Sequence, residues 1–344
     1  MIKYVHPVKP ASAEGLVADV YAQIKRDFGR IAEPFLIHSP LPKLLAGAWM
    51  VCRETELVGN VPRTVKEAVA AAVSQLNHCQ YCVDAHTIML SAAGENEIAN
   101  AISKARYDEI SDAKARMIVD WALATTSPRS EMLRWLPFSR QEAPEIIGTA
   151  VFYHYMNRMA SVLLGDTPLP SSQRWLKGSM KRMASWTFSG AVRRSKSIGD
   201  GLQFLPKADL PNDLHWAKSS SNVAWAYAGF AATVEEVGEY ALPIEVRAYV
   251  QEELSEWNGK TSELSLAWSE DAICRFDEAT QSAARLALLT ALAPYRIDEE
   301  VVLGFRKHFP GDDKLLGTLA WASFSAARKI GTWLQPQPTQ QSTP

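Results

Sequence analysis

Residues 56–79 read ELVGNVPRTVKEAVAAAVSQLNHC, and residues 236–260 read EVGEYALPIEVRAYVQEELSEWNGK. In both, a proline opens a run whose apolar residues recur at three- and four-residue intervals, the spacing of one helical face. Laid over one another, the runs put Pro62 on Pro243 and Asn77 on Asn258, both 181 positions apart. Further on, Arg116 meets Arg285 and Gly148 meets Gly317 at a spacing of 169, so the second copy is 12 residues shorter between these anchors. A period this long exceeds that of any solenoid repeat and points to duplication of a whole domain.

The same spacing continues on either side. It predicts helices over roughly 14–28, 43–58, 62–76, 79–93, 112–126 and 143–164, and again over 222–239, 243–257, 281–293 and 313–334. Alternating Val, Ile and Thr runs bounded by turn pairs are nearly absent, so the fold class is all-α. The pattern lapses in TFSGAVRRSKSIGDGLQFLPKADLPND, where glycine, proline and mixed charge prevent an apolar stripe. This divides the chain into a first domain (1–185), a linker (186–215) whose Arg193, Arg194 and Lys196 read as a solvated basic patch, a second domain (216–335), and a frayed tail, QPQPTQQSTP, closing with 336–344. The helices over 148–164 and 317–334, both amphipathic and aromatic-rich, read as core helices.

Composition narrows the function classes. With 344 residues, 47% hydrophobic and 22% charged, the chain can bury two ordinary cores. Thirty-six Lys+Arg against 38 Asp+Glu give a net charge of −2, which offers no global field for nucleic acid or an anionic membrane. The amino-terminal stretch has no secretory apolar segment and no run is apolar enough to span a bilayer, so a cytoplasmic protein is expected. GxGxxG, GxxxxGK[ST], HExxH and GxSxG are all missing, which removes the usual anchors of nucleotide, zinc-protease and serine-hydrolase chemistry.

Four cysteines are too few for a disulfide scaffold, yet two stand three residues apart in Cys79-Gln-Tyr-Cys82-Val-Asp-Ala-His86. Asn77 and His78 are poor helix-interior residues, so one helix is expected to end near Leu76 and a new one to start close to Cys79. Both cysteines then lie in a first helical turn, where exposed amides and the helix dipole favour thiolate and lower the pKa. Cys82 and His86, four apart, share a face on which the imidazole could bond the sulfur or take its proton. Cys79 and Cys82 have helical Cα atoms roughly 5 to 5.5 Å apart, within reach of a reversible disulfide. Glu67 could reach the thiols from the neighbouring helix or could be a surface carboxylate paired with Arg63 or Lys66. Cys52 and Cys274 read as small buried hydrophobes.

Glu67, the CxxCxxxH of Cys79, Cys82 and His86, and the 12-residue gap from glutamate to first cysteine resemble the signature of the AhpD-like alkylhydroperoxidases, within the carboxymuconolactone decarboxylase family. The flanks EPFLIHSPLPKLLAGAW (33–49) and YHYMNRMASVLLGDTPLP (153–170) are similar to the family's helical pattern. The resemblance implies two tandem AhpD-like domains in pseudo-symmetric arrangement. It also implies a redox pair at Cys79 and Cys82, proton transfer by His86 and Glu67, and no bound cofactor. A hydroperoxide substrate, a lipoyl or thioredoxin-like dithiol reductant and homo-oligomeric assembly through helical faces follow from it too. Tyr81 stands where the best-known members have a histidine. In the second copy Ala248, Lys260, Glu263 and Ala267 fall opposite Glu67, Cys79, Cys82 and His86, so thiol chemistry belongs to the first copy alone.

The same residues admit two other uses: zinc held by His78, Cys79, Cys82 and His86, and a non-enzymatic helical interaction protein. For the redox reading, lowering a thiol pKa from about 8.5 to about 6.5 raises the thiolate fraction about 25-fold at pH 7. The same change costs roughly 8-fold in nucleophilicity, leaving a net gain of about 3-fold. Proton delivery must therefore matter more than the pKa.

Overall fold

The computed structural model describes residues 1–168, 196–260 and 273–335. Among these the fold is all-α, with one isolated antiparallel bridge between Ile2 and Leu164 and no strand. In the first half the helices are α1 (Gly15–Phe28), α2 (Glu33–Leu36), α3 (Pro42–Cys52), α4 (Arg63–Leu76), α5 (Gln80–Ala93), α6 (Asn96–Ser103), α7 (Ala113–Leu123) and α8 (Ala143–Leu163). The second half supplies α9 (Ser221–Ala241), α10 (Ile244–Glu256), α11 (Glu278–Leu292), α12 (Glu299–His308) and α13 (Asp312–Trp333). The long amphipathic segments form where their spacing predicts. The short α2, α6 and α12 were not foreseen, because four to ten residues carry too few turns to establish a period.

The repeat anchors occupy matching structural places. Pro62 and Pro243 sit just before α4 and α10 with nearly identical backbone angles, φ −52°, ψ 136° and φ −55°, ψ 146°. Proline fits there because its missing N–H is one the first turn cannot satisfy in any case. Gly148 of α8 and Gly317 of α13 both mark close helix approaches. An added Cβ would lie 2.5 Å from Cγ2 of Thr55 at Gly148, and 2.7 Å from Cβ of Ala241 and 2.8 Å from the Val237 carbonyl at Gly317. Matching helices also meet their partners: α3 packs on α9, and α8 packs on α13. Buried residues of both halves merge into one hydrophobic core containing Trp49, Tyr155, Phe230 and Phe324.

Two expectations, on the linker and on Cys274, are corrected. Part of the linker segment is tied to the first half: Ser197 accepts from Arg53, Gly199 donates to Glu54, the Asp200 carbonyl accepts from Gln23, and Leu202 and Leu205 are buried. Arg193 and Arg194 lie outside the described residues, as do Glu263, Ala267 and the tail 336–344. Cys274 is exposed rather than buried. No helix among the described residues is long and apolar enough to cross a membrane.

Candidate active site

The chain leaves α4 at Leu76, reverses through His78 in a left-handed conformation (φ 54°) and re-enters a helix at Gln80. Cys79 is thus the residue just before α5, and Cys82 stands in its first turn. The helix break expected at Asn77 and His78 is present, and it lays α4 against α5. Glu67 of α4 consequently faces His86 of α5, with Oε2 2.7 Å from Nδ1. Arg63, one turn earlier, donates through Nε to Oε1 of Glu67 at 2.8 Å and through Nη2 at 2.6 Å. The sequence left open whether Glu67 pairs with Arg63 or joins a relay. It does the first while also bracing His86, and it is fully buried.

Electrostatics follow from this packing. Burial pushes the Glu67 carboxyl up, but Arg63 and His86 outweigh it and hold the group at about 2. For His86 burial pulls down, and the Glu67 hydrogen bond and charge more than restore it, leaving the imidazole above its ordinary value. Cys82 goes against expectation: burial first, then its neighbour Cys79, raise its pKa well above that of an ordinary thiol. A helix amino terminus contributes at most about 2 kcal/mol, and in this apolar setting desolvation wins. His86 makes no hydrogen bond to Cys82 either. Its Nδ1 is committed to Glu67, which leaves Nε2 as the nitrogen available to a reactant.

Cys82, His86 and Tyr81 line one cavity of about 100 Å³ with Phe28, Phe35, Met89, Phe152, Tyr153 and Met156. Its walls are mostly apolar, with Arg30 among the lining residues, and Cys79 is not part of them. Burial and the neighbouring Glu33 keep the Tyr81 hydroxyl well above its usual range, so it is a neutral group where a histidine could titrate.

Two residues that sequence reasoning missed, Glu56 and Tyr153, complete the cluster. After α3 the chain widens into a π-helical turn, Arg53–Leu57, in which all five side chains are buried. Such turns redirect side chains and recur at functional sites. This one aims Glu56 at the site: Oε2 accepts from the Tyr153 hydroxyl at 2.5 Å and from the Cys52 thiol at 3.3 Å. Oε1 has no hydrogen-bond partner, although Arg63 is 3.6 Å away and His86 Nδ1 3.8 Å. The Tyr153 ring stands edge-on to His86, centroids 4.4 Å apart. The signal was present as four polar residues, RETE at 53–56, at the end of an otherwise apolar helix.

Among the described residues, one group of three or more His, Cys, Asp or Glu side chains comes close enough to hold a metal: Glu56, Glu67 and His86, with ligand atoms within 4.8 Å of one another. Arg63 already supplies the positive charge there. The four-ligand zinc set of His78, Cys79, Cys82 and His86 is not brought together, since among the described residues the group with metal-holding spacing includes none of His78, Cys79 and Cys82.

The break at His78 thus sets the CxxCxxxH of Cys79, Cys82 and His86 across from the buried Glu67. The chain belongs to the carboxymuconolactone decarboxylase family, whose sequence profile matches residues 43–116. Over 333 residues it is 38% identical to the alkyl hydroperoxide reductase Rv2159c of Mycobacterium tuberculosis, covering 97% of this chain and 95% of that protein. A solved structure of an AhpD-core, peroxidase-related protein from Ralstonia eutropha JMP134 is similar at 22% identity and a TM-score of 0.39, over 46% of this chain and 92% of the other.

Proposed function

We propose that this chain reduces hydrogen or organic hydroperoxides with Cys82 as the attacking thiol and Cys79 as the resolving one. The observation that carries the reading is that Cys82 and His86 line the same apolar cavity while Glu67 braces the far side of the imidazole. With Nδ1–H donated to Glu67, Nε2 takes the Cys82 proton as the sulfur attacks the distal peroxide oxygen. The O–O bond breaks, His86 returns that proton to the departing oxygen, and an alcohol or water leaves Cys82 as a sulfenic acid. The Cys79 thiol displaces water from that sulfur to form the disulfide, and an external dithiol then reduces it, itself becoming a disulfide.

Because Cys82 rests as a thiol, its proton must move during the attack, which places the burden on His86 and Glu67. The relative's name supports the reaction class, and the cycle calls for no bound cofactor. A lipoyl or thioredoxin-like dithiol in the cytoplasm fits the reductant role, and assembly of copies through helical faces belongs to the same proposal.

Intact-mass analysis of the reduced protein after one equivalent of an organic hydroperoxide tests the pair. A loss of two hydrogens is expected, abolished by either Cys79→Ser or Cys82→Ser. Sulfurs left unoxidised at that dose would refute the enzyme reading.

A further inference from the structure

We propose that His154 is a positioning residue for Cys79: bonded between Thr125 and Asn77, it clamps the turn that holds this thiol beside Cys82. The proposal deepens the peroxidase reading by assigning the group that keeps the resolving thiol in place. It rests on that reading for its purpose, though not for its test.

The turn has a defined form. The Cys79 amide donates to the Ser74 carbonyl at 3.0 Å and the His78 amide to the Gln75 carbonyl at 3.1 Å, the paired bonds that close a helix through one left-handed residue. That residue is His78, at φ 54°. Glycine takes this conformation freely, whereas a side chain makes it costly, so the surroundings must hold the turn. The second copy supplies the contrast: position 259, which matches 78 at the 181-residue spacing, is glycine at φ 88°. The copy with thiols carries the strained residue, and the copy without them the relaxed one.

The clamp comes from α8. Nδ1 of His154 lies 3.1 Å from Nδ2 of Asn77, and Nε2 lies 2.8 Å from the Thr125 hydroxyl. A third contact places the proton. Thr125 gives its one hydroxyl hydrogen to the Ala122 carbonyl at 2.7 Å, so Nε2 bears the ring hydrogen and donates to Thr125. Nδ1 is then bare and accepts from the Asn77 amide. The ring is fully buried, and burial reinforced by the Arg158 charge keeps it neutral, as this arrangement requires. At the 169-residue spacing His154 meets Ser323, a buried hydroxyl with no hydrogen-bond partner. Asn258, opposite Asn77, turns its side chain to the Lys260 amide instead. At these positions the clamp, like the strained turn, is present in the first copy and missing from the second.

Its effect on the thiols follows from where it acts. Cys79 comes directly after the left-handed residue, and its sulfur neighbours Cys82 closely enough to raise that thiol's pKa. A dithiol held this way closes with little loss of freedom. Without the clamp the open form relaxes, while a closed disulfide holds the turn by itself, so the balance shifts toward the dithiol.

The thiol–disulfide balance of the whole chain in graded glutathione buffers tests this without peroxide. The dithiol passes two electrons and two protons to oxidised glutathione, and after alkylation the mass of the peptide carrying both cysteines reads the two hydrogens lost. His154→Leu should lower the equilibrium constant for closing about three- to tenfold, the weight of one hydrogen bond, with the fold unchanged by circular dichroism. Asn77→Ala breaks the same bond from its half-buried end, should act in the same direction, and stands in if the leucine variant does not fold. His78→Gly added to either variant should restore most of the loss, because glycine holds the left-handed turn unaided, a recovery that a general loss of packing would not show. An unchanged constant in a folded single variant, no recovery with glycine, or a wild-type pair that does not close would each overturn the proposal. A constant that falls and recovers in a protein that leaves hydroperoxides untouched would uphold the clamp while refuting the peroxidase.

Discussion

Helices α4 and α10 begin alike and then diverge. Arg63, Lys66 and Glu67 of α4 are wholly or largely buried, each with an ionic partner. Their counterparts at the 181-residue spacing are Ile244, Arg247 and Ala248 of α10. Ile244 is 72% exposed, Ala248 is exposed, and Arg247, itself 16% exposed, pairs with Glu235 and Glu239, which are 41% and 62% exposed. The helix persists in both halves because the proline start and apolar spacing persist. Among the described residues, the second half has no carboxylate as buried as Glu56, Glu67 or Glu145. Burying ions costs several kcal/mol each before pairing, so a cluster of them endures only where something other than stability keeps it. Among the described residues, the buried ionic groups gather in the half that also carries Cys79, Cys82 and His86.

The contrast breaks most readily at Glu67. Glu67→Gln should slow peroxide consumption by about 10²- to 10⁴-fold, the usual weight of a general acid–base group, and by more than any change in the Cys82 pKa accounts for. Ala248→Gln, at the matching exposed position, should leave turnover unaltered. Comparing rates of peroxide consumption at matched thiolate fraction checks this, and equal activity there would remove the relay.

A stability test follows at the next pair. Lys66 donates to Glu145 at 2.7 Å and to the Val58 carbonyl at 2.6 Å, and Glu145 also accepts from the amides of Asn60 and Val61. Lys66→Met strands a buried carboxylate and should cost about 3–5 kcal/mol in urea unfolding. Arg247→Met, removing a pair in which Glu235 is 41% exposed, should cost less than about 1 kcal/mol. Similar losses for the two would erase the distinction between the halves.

The smallest effect concerns acid. His38, His86 and His154 are buried in the first half, whereas His215 is exposed and His308 half-exposed in the second. Burial lowers His38 from 6.5 to about 4, against the opposing hydrogen bond to the Pro34 carbonyl. Its Nε2 accepts from Tyr155 at 2.7 Å. A depressed folded pKa means the unfolded chain binds the proton first, so the contribution of His38 is full above pH 6.5 and is lost as pH falls toward 4. Urea midpoints should drop across that window, and His38→Gln should flatten the slope.

The sequence made the helices legible because long amphipathic runs carry their own period, and it made Cys79, Cys82 and His86 legible because their spacing sets them on one turn and face. Glu67 was half legible, since only the break at His78 decides what it meets. Glu56 and Tyr153 were not, because a π turn changes the direction of a side chain without changing the hydrophobic pattern, and an inward tyrosine on α8 looks like any core aromatic. The raised Cys82 pKa was hidden for another reason: desolvation depends on the cavity walls, which come from α5, α8 and the segments around Phe28 and Phe35.

The contact of α8 with α13 and the Arg158 side chain seated on the Ala291 carbonyl at 2.8 Å join matching pieces of two copies through one core. In one covalent chain that union is intramolecular, and dilution cannot undo it. The half that carries the CxxCxxxH therefore keeps its packing partner at any protein concentration.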